Sequence, residues 1–305
     1  MKDSLRLALL TSLLACGVAC SGAREEAVGM SACGIHEDCV DELPVPGGSF
    51  LRSNVANLPA KIAGFSLGKH EVSVARFREF STDFEHWRGS GHPVAGEGAH
   101  PNVPASGWQA SWPLPSTQAE LSEIINCDRT RQTWTDETGT RESYPMNCVN
   151  WYLAFAFCTW ASSRLPTEAE WNYAAAGGDE QRRYPWGNED PGADIALAVY
   201  GCYGKSGALC DVKALREVGS ARLGNGRWGH ADLAGNVWEW VFDANNEYTP
   251  ECDNCAATEG NGNRIVRGGS FYNISVYLLS GNRVDSSPSE HSQDFGFRCA
   301  KSAVR

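Results

Sequence analysis

The chain has 305 residues, enough for one large domain or two modest ones. It carries 37 acidic against 26 basic residues, a formal net charge of -11. A field of that sign repels phosphate backbones and anionic lipid headgroups, which excludes nucleic acid as the expected partner. The 32 glycines and 11 tryptophans favour a loop-rich domain with an aromatic core over a helical bundle.

The first 20 residues have the pattern of an export signal. Lys2 and Arg6 are followed by an apolar run over residues 7–15, which is too short to span a bilayer. We therefore predict a lipoprotein-type signal peptide over residues 1–20.

Two cysteines in this region each follow an alanine, Cys16 in LLAC and Cys20 in GVAC. Each stretch resembles a lipobox, the cleavage and lipidation site of bacterial lipoproteins. We predict lipidation at Cys16 or Cys20, and an ordinary cleaved signal peptide is the alternative. A lipid anchor would hold an exported protein on a membrane, in the periplasm or at the cell surface, without spanning the bilayer.

Residues 21–42 are polar and acidic and show no apolar periodicity, which predicts a tether. Beyond the tether, neither a repeat nor a second composition regime divides the chain. Residues 43–305 are therefore predicted to form one domain.

Setting Cys16 and Cys20 aside leaves ten of the 12 cysteines. An even number in an exported chain predicts disulfides before metal sites, although spacing leaves the connectivity open. Closeness in sequence suggests four local pairs: Cys33–Cys39, Cys127–Cys148, Cys202–Cys210 and Cys252–Cys255. The last pair, in ECDNCAA, also allows a soft-metal or redox site. It has no partner CxxC and no strand-to-helix context, so a structural clip is favoured.

The domain opens with extended segments and one amphipathic helix. Proline and glycine in LPVPGGSF, residues 43–50, lead into a short strand, and residues 62–67 predict another. Ser73 is a suitable N-cap for the next helix. Its apolar residues recur at helical spacing: Val74, Phe77, Phe80 and Phe84. Residues 86–145 then predict a long irregular insertion, rich in glycine, proline and tryptophan.

The middle of the domain predicts two further helices. Residues 149–161 are apolar on all sides, which is typical of a buried helix, here capped by Asn150. In RLPTEAEWNYAAAGG, Thr167 and Glu170 predict a capping box, and Gly177 stands where a left-handed C-cap belongs. YPWGN predicts a turn, and RIVRGGSF and FGFRC predict two closing strands.

The stretch GHADLAGNVWEW, residues 229–240, concentrates oxygen ligands around a flexible glycine. Calcium prefers several carboxylate and carbonyl oxygens held by a tight bend. The side chains of Asp232 and Glu239 and the carbonyls of Gly235 and Val237 would supply them. The alternative is a tight turn with a solvated glutamate and two core tryptophans.

The order of these motifs resembles the formylglycine-generating enzyme family, also called sulfatase-modifying factors. The matching pieces cover most of residues 43–299: LPVPGGSF, KHEVSVARFREF, NWYLAFAFCTW, RLPTEAEWNYAA, YPWGN, VGS, DLAGNVWEW, RGGS and GFR. The resemblance implies an α+β, C-type-lectin-like fold that is rich in loops.

Carried over residue by residue, the resemblance supports the calcium site at Asp232, Gly235, Val237 and Glu239. It also implies a second calcium site with Asp194 and the Ile195 carbonyl.

The same resemblance implies a disulfide between Cys158 in AFCTW and Cys299 in GFRC, which are bridged in family members. A bridge over so many residues would stabilise the fold by about 4–5 kcal/mol in the chain-entropy model.

The sequence departs from the family at the residues that bind the catalytic metal. Family enzymes oxidise a cysteine of a sulfatase peptide with oxygen and copper(I), which two thiolates hold shortly after RGGS. Counting from Ser270, those positions carry Asn273 and Leu278, and residues 256–298 contain no cysteine. Neither side chain can replace a thiolate for soft copper(I). Copper-dependent formylglycine generation is therefore not expected.

Two hypotheses follow for the function. The first is a calcium-stabilised binding or recruitment module that recognises a peptide, protein or glycan in the former substrate groove. The second is an oxidoreductase of another kind, acting on a protein or small-molecule substrate. An iron site would need histidines clustered with carboxylates, and the seven histidines form no HxH, HxxxH or HxxE pair on a predicted helix. We favour the binding module.

Overall fold

The computed structural model describes residues 42–192, 195–202 and 210–303, and within them four α-helices and ten β-strands. The helices are α1 (Val74–Gly89), α2 (Gln118–Ile125), α3 (Trp151–Trp160) and α4 (Glu168–Ala175). The strands are β1 (Glu42–Val45), β2 (Gly48–Leu51), β3 (Pro59–Ile62), β4 (Phe65–Gly68), β5 (Trp238–Ala244), β6 (Cys252–Asp253), β7 (Arg264–Arg267), β8 (Val284–Ser286), β9 (Phe295–Phe297) and β10 (Ala300–Ser302).

Several predictions made from the sequence fall outside these residues. They are the signal peptide, the lipidation sites Cys16 and Cys20, the Cys33–Cys39 pair, Asp194, and the tether except for Glu42, which already belongs to β1. Among the described residues, none of the helices combines the length and the apolar character that crossing a membrane requires.

The strands form three small sheets. The first has the order β1-β4-β10 and the second β2-β3-β6. The third, β8-β7-β5-β9, is centred on the fully buried strand β5, which pairs antiparallel with β7 and parallel with β9. Because β5 continues directly from the DLAGNV turn, the sheet fixes that turn against the core.

Aromatic side chains fill the largest core cluster, as the tryptophan content predicts. Helix α1 contributes Phe77 and Phe80, whose rings pack against Phe157 of α3 at centroid distances of 5.7 and 5.5 Å. Trp151 of α3 is fully buried and donates its indole N–H to the Val241 carbonyl at 2.8 Å. Helix α3 thus packs between α1 and β5, and the indole N–H of its buried Trp151 has a hydrogen-bond partner.

The predicted helix caps are confirmed. The hydroxyl of Ser73 accepts from the Arg76 N–H, and the side chain of Asn150 accepts from the Leu153 N–H. Thr167 and Glu170 form the complete capping box at the start of α4. Gly177, just after α4, has φ +64°, the left-handed conformation that a glycine adopts without strain.

The disulfide implied by the family resemblance is also present. Cys158 of α3 is bonded to Cys299, which follows β9. The three local pairs within the described residues form as well: Cys127–Cys148, Cys202–Cys210 and Cys252–Cys255.

Two elements differ from the sequence predictions. The segment predicted as one strand over residues 62–67 is divided between β3 and β4, which belong to different sheets. The chain bends between them past Gly47, where an added Cβ would lie 2.7 Å from the Gly64 nitrogen. The insertion at residues 86–145 contains a helix, α2, capped by Thr117 and anchored by two buried residues, Leu121 and Ile125.

Candidate functional site

The DLAGNV turn is tight because three of its residues have positive φ: Asp232 at +55°, Gly235 at +85° and Asn236 at +58°. At Gly235 the turn passes so close to a neighbouring loop that an added Cβ would lie 2.4 Å from the Val199 carbonyl oxygen. Only glycine fits there without displacing the loop. The turn is therefore a rigid feature of the site.

Glu239, two residues beyond the turn, is buried with its carboxylate fully engaged. Arg298 donates to it from Nε at 2.6 Å and from Nη2 at 2.7 Å. The indole N–H of Trp171 adds a third hydrogen bond at 2.8 Å. Glu239 is thus half of a buried ion pair, which differs from the solvated glutamate considered as the alternative from the sequence.

Glu71 adds a second buried carboxylate next to the turn. It accepts from the Asn236 amide at 2.7 Å and from the Val237 N–H at 3.1 Å. Burial, reinforced by the charges of Asp232 and Glu239, holds the pKa of Glu71 well above its usual range.

Asp232 is the third buried carboxylate, and it accepts a hydrogen bond from the Gly219 N–H. Burial raises its pKa to about 6, against the opposing effects of the Gly219 N–H and Arg298. The three carboxylates of Glu71, Asp232 and Glu239 thus surround a single guanidinium, that of Arg298.

Calcium suits Glu71 and Asp232 electrostatically, because burial disfavours their ionised forms and a divalent cation beside them would stabilise those forms. It does not fit at Glu239, because Arg298 and Trp171 occupy both oxygens of that carboxylate. A cation at this turn would therefore rely on Asp232 and backbone carbonyls. Ile195, predicted for a second site with Asp194, has a side chain that is 55% exposed.

Asn273, at one of the two positions where the family resemblance predicts a copper ligand, holds a turn together through its side chain. Its side-chain oxygen accepts from the Ser270 N–H at 3.0 Å and from the Ser270 hydroxyl at 2.7 Å. The Ser270 oxygen also lies 3.1 Å from Asp294 Oδ2. Burial raises the pKa of Asp294. The position is thus closed by a polar network centred on Ser270.

Leu278, at the other position where the resemblance predicts a ligand, is fully buried. Its methyl group would lie 3.0 Å from a Cβ added at Gly269, so this side chain packs directly on the RGGS turn. The eight cysteines of the described residues are all paired in disulfides. In that part of the chain, therefore, no cysteine is free to replace either ligand.

The segment between these two positions carries an apolar surface. Ile274, Val276 and Tyr277 are 54%, 51% and 36% exposed. Tyr277 packs edge-on against Trp238 at a centroid distance of 5.9 Å, which supports this exposed segment from the core. Exposed apolar side chains next to one another often mark an interaction surface.

Three residues of the site were not identified from the sequence: Glu71, Asp294 and Arg298. Glu71 and Arg298 lie within the motifs KHEVSV and GFRC; the sequence assigns Arg298 to a closing strand and gives Glu71 no role. Their role depends on contacts with residues far away in sequence. Within the described residues, no three or more histidine, cysteine, aspartate or glutamate side chains are grouped so that they could hold a metal ion.

Comparison with known proteins identifies the relatives of this chain. Residues 34–303 match the family described as "Sulfatase-modifying factor enzyme 1-like domain". The chain is 34% identical over 167 residues to the formylglycine-generating enzyme of Mus musculus, covering 52% of this chain and 45% of that protein. It is 37% identical over 185 residues to the formylglycine-generating enzyme of Streptomyces coelicolor, covering 55% and 56%.

A third relative is named "Inactive C-alpha-formylglycine-generating enzyme 2", from Mus musculus. It is 34% identical over 183 residues, which cover 57% of this chain and 55% of that protein. The matches thus span about half the length of these curated relatives.

Solved structures show the same fold. PvdO from Pseudomonas aeruginosa has a TM-score of 0.56 at 21% identity, covering 87% of this chain and 96% of that one. Treponema denticola variable protein 1 also has a TM-score of 0.56 at 21% identity, covering 86% and 95%. At this identity the likeness concerns the fold alone. Together with the mixture of helices and small sheets, it confirms the predicted α+β, C-type-lectin-like fold.

Proposed function

The chain belongs to the family of the sulfatase-modifying factor enzyme 1-like domain, and we propose that it is a binding or recruitment module without copper-dependent formylglycine generation. The observation that carries this proposal is the chemistry of the former copper site. An amide bonded to Ser270 and a buried aliphatic side chain occupy the two ligand positions. Copper(I) needs soft sulfur ligands, and the cysteines of the described residues are all in disulfides.

The ligand we propose is a peptide or protein segment that presents apolar side chains. The support is the exposed apolar segment formed by Ile274, Val276 and Tyr277 beside the Ser270 network. Aromatic residues with firm packing beneath them make effective anchors for a partner. A glycan remains the other ligand class considered, and it would bind through polar groups rather than through this segment.

We propose further that calcium stabilises the module at the turn containing Asp232, Gly235 and Val237, with Glu239 behind it. The support is a pair of buried carboxyl groups beside the turn, those of Glu71 and Asp232, whose ionised forms burial disfavours and a divalent cation would stabilise. The four disulfides favour an oxidising compartment. Export as a lipoprotein anchored through Cys16 or Cys20 is part of the same proposal.

Metal analysis combined with oxygen uptake tests the proposal. The purified protein is assayed for bound metals and for oxygen consumption with a cysteine-containing sulfatase peptide. We expect calcium, neither copper nor iron, and no oxygen uptake. Conversion of the peptide cysteine to an aldehyde with copper bound would overturn the proposal. Oxygen uptake with bound iron would favour the oxidoreductase hypothesis instead.

The binding surface is tested with matched variants. Tyr277→Asp places a charge in the exposed apolar segment, and Leu223→Asp does so at another apolar residue, which is 64% exposed. In selection from a random peptide library, we expect the selected peptides to lose binding to the first variant and to keep binding to the second. Equal binding to both variants would exclude the apolar segment as the docking surface.

A further inference from the structure

The disulfide Cys252–Cys255 lies at the wall of a cavity whose lining residues are separate from the sites already described. The cavity measures about 270 Å³, and the residues that line it include Arg52, Glu168, Asp243, Tyr248, Cys255 and Arg283. Cys252 is buried, whereas Cys255 is only partly buried and faces the cavity. A thiol that enters the cavity therefore reaches Cys255 first.

The guanidinium of Arg52 lies beside the sulfur atom of Cys255. Its Nη1 donates to Cys255 Sγ at 3.7 Å, its Nη2 donates to the Thr249 carbonyl, and its guanidinium lies 4.7 Å from the centre of the Tyr248 ring. Arg52 is 3% exposed, and its buried Nε has no hydrogen-bond partner among the described residues. The guanidinium thus has unused capacity to stabilise an anion.

The neighbouring carboxylates leave Arg52 largely uncompensated. Glu168 is bonded to two other cations, Arg267 and Arg283, at 2.8 Å each, and to the Tyr248 hydroxyl. Asp243 accepts from two backbone N–H groups, and burial raises its pKa to about 7. The remaining acidic groups on the cavity wall are Glu247 and Glu259, which are exposed. Around the cavity, the charges of Arg52, Arg267 and Arg283 therefore exceed that of Glu168 and the partly protonated Asp243.

We propose that Cys252–Cys255 is a redox-active disulfide that exchanges with dithiols, with Arg52 holding Cys255 as a thiolate in the reduced state. This activity does not depend on the proposed binding function. Cations beside a cysteine stabilise its thiolate, and stabilising the reduced form makes a disulfide more oxidising. The two-residue spacing lets one cysteine resolve a mixed disulfide formed on the other.

The exchange balances without any further reductant. One thiolate of an external dithiol attacks Cys255 Sγ, the bond to Cys252 breaks, and Cys252 Sγ takes the electron pair and a proton. The second thiolate of the dithiol then attacks the dithiol sulfur of the mixed disulfide. Cys255 leaves as a thiolate beside Arg52, and the dithiol becomes a disulfide. Two electrons pass to the protein, and one proton is released to solvent.

The first experiment compares the disulfides of one molecule. The full chain is equilibrated in glutathione buffers of increasing reducing ratio, free thiols are alkylated, and each cysteine is mapped by mass spectrometry. We expect Cys252–Cys255 to be reduced at a ratio of reduced to oxidised glutathione about tenfold or more below the ratio that reduces Cys127–Cys148 and Cys158–Cys299. Opening at the same ratio as these two disulfides would overturn the proposal.

The second experiment tests Arg52. Arg52→Met keeps the bulk and removes the charge, and Arg52→Lys keeps the charge. In Arg52→Met, we expect half-reduction of Cys252–Cys255 to need a ratio of reduced to oxidised glutathione about tenfold higher than in the wild type. In Arg52→Lys, we expect a ratio close to that of the wild type. Equal behaviour of the two variants and the wild type would show that Arg52 has no such role.

A third measurement requires no change at Arg52, so it decides the question even if Arg52→Met does not fold. In Cys252→Ser, Cys255 is left as a thiol, and its alkylation rate is followed against pH. We expect half-maximal alkylation below about pH 7.5 and accumulation of a mixed disulfide with an added disulfide peptide. Half-maximal alkylation near pH 8.5 without a mixed disulfide would assign the pair a purely structural role.

Discussion

Arg298 and Glu239 form a fully buried bidentate ion pair, with N–O distances of 2.6 and 2.7 Å. The remaining donors of Arg298 bind the carbonyls of Gly68 and Ala231, each at 2.9 Å. The pair therefore connects β5, the end of β4, the residue after β9, and the loop before the DLAGNV turn. These segments are far apart in the chain, so the pair positions the candidate site as a whole.

Removing one partner of this pair is expected to destabilise the protein strongly. Glu239→Gln breaks the bidentate ion pair and leaves the buried Arg298 with only Glu71 and Asp232, whose carboxylates do not share its hydrogen bonds; this costs about 3–5 kcal/mol in the free energy of unfolding. The loss is expected both in calcium and in a chelator, since it arises from Arg298. Denaturant unfolding under the two conditions measures it.

The control is Glu79→Gln, which breaks an exposed pair with Arg76 and is expected to cost less than about 1 kcal/mol. A Glu239→Gln protein that loses stability only in calcium would instead identify Glu239 as a calcium ligand.

Replacing Asp232 is expected to stabilise the protein in the absence of calcium, whereas replacing Glu239 destabilises it. Its folded pKa of about 6 lies above the usual value of 3.8. The buried charge therefore costs stability, beginning above about pH 4 and reaching about 2–3 kcal/mol above pH 6. In a chelator, Asp232→Asn is expected to be more stable than the wild type at pH 7.5, and the difference should vanish near pH 4.

If calcium binds at this turn, its addition is expected to reduce or reverse the stability advantage of Asp232→Asn over the wild type. Bound cation would remove the cost of the Asp232 charge, so the wild type would gain thermal stability on addition of calcium and Asp232→Asn would not. Thermal unfolding of both proteins, with and without calcium, measures this. An equal response of the two proteins to calcium would argue against a site at Asp232.

The sequence allowed the prediction of those parts of the fold that rest on local chemistry. Ser73, Asn150 and Thr167 cap their helices because a cap depends on residues within one turn. Helix α2 was missed because it has eight residues within a segment whose glycines and prolines indicate loops. The Cys158–Cys299 bridge was expected from the family resemblance, since spacing alone left its partners open.

The candidate site was only partly predictable. Asp232, Gly235 and Glu239 lie in one recognisable turn, so their proximity could be inferred. Glu71 reaches the same turn from a position 165 residues away in the chain, and Arg298 reaches it from directly after β9. Local patterns contain no information on such pairings. Glu239 was therefore expected to bind a calcium ion, whereas its carboxylate binds the guanidinium of Arg298.

Glu170 is expected to stabilise the protein in a pH-dependent way. Burial alone would raise its pKa, but Arg164 and His100 lower it to about 2. The two guanidinium contacts of Arg164 are 2.7 and 2.6 Å long. Because the folded pKa lies below the usual value of 4.5, the stabilisation is present above about pH 4.5 and is lost as the pH falls through 2.

Glu170→Gln is therefore expected to lower the free energy of unfolding by about 3 kcal/mol at pH 7. The difference in the free energy of unfolding between the variant and the wild type should shrink as the pH falls from 4.5 to 2. A series of denaturation curves at different pH values would show this. Glu123→Gln, at an exposed position in α2, serves as the control and should follow the wild type. A constant gap at all pH values would mean that the capping geometry, rather than the charge, is responsible.

Introducing sulfur at Asn273 and Leu278 tests whether these are the two copper-ligand positions that the family resemblance predicts. Asn273→Cys combined with Leu278→Cys places two thiolates at the ligand positions on either side of the exposed segment. Because two soft ligands hold copper(I) far more tightly than one, the double variant should retain copper(I) against a chelating indicator. Each single variant should release it, and Leu278→Ala controls for the lost packing on Gly269. A double variant that binds no more copper than the wild type would show that these two positions do not face a common metal in this chain.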